Sequence, residues 1–112
     1  MTDAAWLLRD GEVLAALEVA DSRRSRRKGL LGRDGIDGAL LLRPARSVHT
    51  IGMRFPIDVA FCDRDLVVVA VCSMARYRLG RPRLRAYSVL EAERGAFDRW
   101  VLRPGDRLEI KT

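Results

Sequence analysis

Apolar and polar residues alternate with a period of two over much of the chain, the repeat of a strand that buries one face. In 12–20, Val13, Ala15, Leu17 and Val19 share one face, while Glu12 and Glu18 share the other with small or apolar residues. Asp10-Gly11 suits a type I′ turn because both residues tolerate positive φ, so 6–9 and 12–20 are predicted to form a hairpin. The period then breaks. Residues 23–32 contain no β-branched side chain and follow Asp21-Ser22, a capping pair, which predicts a short helix anchored only by Leu30 and Leu31. Gly29, Gly32, Gly35 and Gly38 turn the chain into a loop that leads to a strand at 39–42.

The strongest pattern lies at 57–63 and 66–72, two runs rich in β-formers on either side of Arg64-Asp65. A two-residue turn there puts Ile57, Val59, Phe61, Leu66, Val68, Ala70 and Cys72 on one face, and Asp58, Ala60, Cys62, Val67, Val69 and Val71 on the other. Both faces are apolar apart from Asp58, which predicts a hairpin covered on both sides, at the middle of its sheet. The same register sets Cys62 opposite Val67 and Cys72 opposite Ile57, on the order of 17 Å apart at strand rise, too far for a disulfide. Further strands are predicted at 86–92 and 107–110, with a turn or single helical turn at 95–98. Short strands with one or two short helices define an all-β (mainly β) fold, a compact antiparallel sandwich or barrel that occupies 1–112 as one domain.

Charge adds a feature that periodicity does not show. The chain carries 21 Lys and Arg against 15 Asp and Glu, a net charge of +6. The cations are densest in two segments, 23–33 and 76–85, and nearly all are Arg, whose planar fork binds carboxylates and phosphates through paired hydrogen bonds. The expected partner is therefore an anion. The first twenty residues have no basic leader, and Arg9, Asp10, Glu12 and Glu18 interrupt their apolar run, so neither a signal peptide nor a membrane span is expected. A cytoplasmic location follows as the expectation, in keeping with unbridged cysteines.

The order of several short motifs resembles an uncharacterised prokaryotic family, domain of unknown function 192. They are RRKGLLGR at 26–33, GALLL at 38–42, PIDVAF at 56–61, VLEAERG at 89–95 and PGDRLEI at 104–110. His49-Thr50-Ile51-Gly52-Met53 stands where many relatives carry Trp-Met-x-Asn-Thr. The resemblance implies a compact β-rich domain and no established activity.

Asp58 is the sharpest candidate residue, because an ionised carboxylate on a buried face needs hydrogen bonds or a cation. Arg54, Arg85 or backbone N–H groups of the preceding loop are its expected partners, and the preferred reading is a clamp that holds 49–56 onto the sheet. His49, the only histidine, is read as a packed loop residue ahead of a ligand donor beside Thr50 and Asp58. No spacing of His, Cys and carboxylates suits a metal, and no cofactor is expected. Glu91 and Glu93 stand at strand spacing and are read as partners of Arg.

Together these residues predict a non-catalytic binding module for an anionic small ligand or macromolecule. Arg46, His49, Thr50, Arg54, Asp58 and Arg85 form its candidate ligand site in and around the loop 46–58. Arg23, Arg24, Arg26, Arg27, Lys28, Arg76, Arg78, Arg81 and Arg83 form its basic surface. Nucleic acid fits the charge, although no nucleic-acid motif accompanies it. Two alternatives remain: a small enzyme with a His49/Asp58 pocket, and a protein–protein adaptor using Trp6 or Trp100.

Overall fold

The computed structural model describes residues 5–112. Asp10 and Gly11, at φ 52° and 79°, form the expected type I′ turn between β1 (Ala5–Arg9) and β2 (Glu12–Ala20). Leu14 is an extra residue in the ladder, since Leu7 faces Ala15 while Leu8 faces Val13. This bulge inverts the expected facing at Val13 and Leu14 and leaves that of Leu17 and Val19 as expected. Val13 is left exposed, and Leu14 packs with Leu17 and Val19 against the core.

Ser22 caps α1 (Arg23–Lys28) through a reciprocal pair of hydrogen bonds with Ser25. No residue within α1 is buried. Leu30, just beyond it, is almost wholly enclosed and holds the helix to the sheet. The chain then reaches β3 (Ala39–Leu42), which pairs parallel to β2 and departs from the expected all-antiparallel order. Alternation tells which residues share a face but not which strand lies alongside, and the 21–38 connection is long enough for a crossover. Gly38 makes the approach possible: a Cβ there would lie 2.3 Å from the Ala16 carbonyl oxygen.

All six residues of β4 (Ile57–Cys62) are buried, flanked by β5 (Val68–Met74) and β6 (Ser88–Glu93). The hairpin register differs from the expected one. Ile57 faces Met74, Val59 faces Cys72 and Cys62 faces Val68. Asp63 is the cause: its carboxylate accepts from the N–H groups of Asp65 and Val67, and Leu66 takes φ 63°, which lengthens the turn. The two cysteines are free, and they pack into different clusters on the two faces of the sheet.

With α2 (Ala96–Trp100) and β7 (Glu109–Lys111), the sheet runs β5-β4-β6-β3-β2-β1-β7. β5 therefore lies at an end of the order instead of the middle, and most of its residues are only half-buried. Residues 105–108 curl back to bond Leu66 and Val68, but the sheet does not close into a barrel. One face packs on Phe97 of α2 and on Leu102 and Leu108. The other is covered by Leu30, Val48, Met53 and Phe55, which belong to α1's exit and the 43–56 loop. No helix among the described residues is long and apolar enough to cross a membrane.

Candidate functional site

Thr50 organises the second face. It is wholly buried; its hydroxyl donates to the Ala75 carbonyl at 2.6 Å and accepts from Arg78 N–H at 2.8 Å. Backbone bonds join Val48 to Gly80, Arg46 to Arg83 and Thr50 to Tyr77, so the 75–86 loop lies along the 46–50 strap. Arg83 extends over the Phe61 ring, 5.3 Å from its centre. On the strap's other side, Arg26 donates to the Pro44 carbonyl at 2.9 Å. Both Arg-dense segments thus border one strap on one face of the sheet. Among the described residues, no carboxylate pairs with a cation of α1 or of 76–85.

Between α1 and the strap lies a cleft of about 80 Å³, bordered by Arg26, Arg27, Lys28, Ser47 and His49, with Glu91 in its wall. Glu91 is 4% exposed, and among the described residues its carboxyl has neither a hydrogen bond nor an ion pair. Burial pushes its pKa up to about 7. The expected pairing with Arg does not form here. Glu93 is exposed, whereas Glu91 follows the alternation of β6 onto the covered face, beside Val59 and Leu40. A sequence signal existed: Glu91 lies between Leu90 and Ala92 on a strand adjoining the doubly apolar β4.

Asp58 belongs to the other face. Its carboxylate accepts from Ser73 Oγ at 2.7 Å, Gly95 N at 2.9 Å and Phe97 N at 3.1 Å. It is a clamp, but it holds the start of α2 and not the 49–56 loop. Gly95 has no side chain to cap that helix, and Asp58 supplies the missing acceptor from β4. His49, exposed at the cleft mouth, and Asp58 therefore lie on opposite faces, and no His49/Asp58 pocket forms.

The remaining candidates divide. Thr50 spends its hydroxyl on the strap and the 75–86 loop. Arg54 pairs with Asp34 at 3.0 Å, and Arg33 forms a fork with Glu18 at 2.6 and 2.9 Å, which lowers the Glu18 pKa. Arg46 and Arg85 are exposed, as are Arg76, Arg78 and Arg81, and none of them lines the cleft. Trp100 packs against Phe97, 5.6 Å between ring centres, and Trp6 is about half exposed.

Chemically, the cleft offers cations, a His and a carboxyl that holds its proton near neutrality. Burial, reinforced by the Asp63 charge, pushes the Cys62 thiol up to about 12; burial also raises Cys72, so neither thiol ionises readily. Among the described residues, no three His, Cys, Asp or Glu side chains gather as a metal site would need.

Two solved structures share the fold. One is a protein of unknown function from Novosphingobium aromaticivorans: TM-score 0.76, 19% identity, 96% of this chain and 84% of that one covered. The other, from Sinorhizobium meliloti, is described as a "putative transcription regulator": TM-score 0.79, 22% identity, 97% and 93% covered. At such identities the likeness concerns the fold. No curated protein matches the chain. The DUF192 family model, described as an uncharacterized ACR, matches residues 5–110, and the chain belongs to that family.

Proposed function

We propose that the protein is a non-catalytic binding module that recognises an anionic group, on a small ligand or a macromolecule, through Arg residues and the 46–58 loop. The observation that carries this reading is the convergence of α1 and the 75–86 loop on one strap, with none of their cations paired to a carboxylate among the described residues. Sequence reinforces it, since no Asp or Glu occurs in 38–57 or 66–90. Unpaired guanidinium groups on a surface poor in carboxylates attract anions at long range and bind them bidentately at short range. A small anion in the cleft would meet rim cations and accept a hydrogen bond from protonated Glu91.

Titration with heparin and with a single-stranded oligonucleotide at increasing salt tests the proposal. Binding is expected to weaken steeply with salt, and Arg26→Gln with Arg27→Gln is expected to flatten the log–log slope by roughly one per lost contact. Absence of binding to both polyanions at low ionic strength would overturn the macromolecular form of the reading.

A further inference from the structure

Seven large apolar side chains stand exposed among the described residues, and four of them are Ile51, Tyr77, Leu79 and Leu84. Leu79 and Leu84 are the most exposed, at 78% and 83%. Their positions are linked by the backbone. His49 and Leu79 form a bridge, and Tyr77 N–H bonds the Thr50 carbonyl, which brings the Ile51 turn beside the 75–86 loop. Within that loop, Arg76, Arg78, Arg81, Arg83 and Arg85 alternate with the apolar residues.

Two properties limit what such a surface fits. Leu side chains projecting into water cost free energy that only an apolar environment recovers, and phosphodiester backbones provide none. Interleaved Arg requires that the apolar environment be edged by anions. A protein core cut in half would satisfy the leucines but would leave Arg76, Arg78, Arg81 and Arg85 to find carboxylates or be desolvated unpaired. The boundary of an anionic bilayer meets both demands, with hydrocarbon below and phosphate or carboxylate groups level with the guanidinium ends. Tyr77 suits the same depth, having an apolar ring and a polar tip.

We infer that the 75–86 loop, together with Ile51, docks on an anionic lipid surface, with Leu79 and Leu84 inserted below the headgroups and the intervening Arg side chains on the lipid phosphates. The inference rests on the anion-recognition reading and names its partner. The backbone of the loop is already fixed to the strap by Thr50 and by the Gly80 and Arg83 bonds, so docking requires only side-chain movement.

Co-sedimentation of the full chain with vesicles of phosphatidylcholine alone, and of phosphatidylcholine and phosphatidylserine in equal parts, tests it. Binding is expected on the anionic vesicles and not on the neutral ones. Replacing one loop Arg by Gln is expected to lower vesicle affinity about fivefold. Leu79→Ser with Leu84→Ser is expected to lower it by more than about tenfold while leaving heparin binding intact. Both leucines are exposed, so the fold does not depend on them, and Leu84→Trp adds an independent reading: compared with the unsubstituted protein, its added emission should shift to the blue on anionic vesicles. Heparin binding without vesicle binding would overturn the docking and leave anion recognition standing. Equal vesicle affinity of the double Ser variant, or an unshifted emission from vesicle-bound Leu84→Trp protein, would also overturn it. Failure on vesicles, heparin and oligonucleotide alike would end the docking and the macromolecular form of the anion reading together.

Discussion

Replacing Glu91 by Gln removes the buried carboxyl of the cleft face, and its effect on stability must depend on pH. In the unfolded chain the group titrates near its ordinary 4.5, and in the folded protein burial raises this to about 7. Below the lower value both states hold the proton and the group contributes nothing. Between the two values the folded form keeps a proton that the unfolded chain releases, so stability falls as pH rises. Above about 7 the full cost stands. The interval between those values, at roughly 1.4 kcal/mol per pH unit, sets it at roughly 3 kcal/mol. A protonated carboxyl and an amide are close in size and polarity, so urea unfolding at about pH 4 should give nearly equal stabilities for wild type and Glu91→Gln. At about pH 9 the variant should be the more stable by roughly 3 kcal/mol. A difference between the two proteins that is the same at both pH values would refute the assignment of a buried, unpaired carboxyl.

Asp58→Ala leaves the Gly95 and Phe97 N–H groups and the Ser73 hydroxyl without their acceptor. A loss of roughly 3 kcal/mol is expected in urea unfolding, with faster amide exchange at 95–97. Gly38→Ala drives a Cβ against the Ala16 carbonyl and should cost about 1–3 kcal/mol, seen as a lowered Tm. Cys62, with its thiol pushed up to about 12, should resist alkylation in the folded protein at neutral pH and react on unfolding.

The first hairpin, the Ser22 cap and the strand at 39–42 were legible because each depends on local chemistry: a turn that needs positive φ, a hydroxyl at a helix start, a short apolar run. The doubly covered β4 was legible from its composition. Registers were less so. A single extra residue at Leu14, and the Asp63 turn with Leu66 at positive φ, moved side chains relative to a strict alternation. Such bulges depend on which side chain fills the core best, which pattern alone does not encode. Sequence points Asp58 at the loop before it, whereas its partner, the start of α2, lies about forty residues away in sequence, and only the folded sheet brings it near. Sequence pattern alone reads Glu91 as a partner of Arg for the same reason. Its alternation was visible, but the layer that covers it, from α1's exit and the strap, comes from residues far away in the chain.

Amide chemical shifts followed by NMR during titration with a heparin fragment at low salt test anion recognition most directly. The account predicts shifts concentrated at 23–29, 46–54 and 76–85, reversed by added salt, while α2 and 101–108 stay unchanged. Shifts centred on the α2 face or on Trp6, or none at low ionic strength, would contradict it.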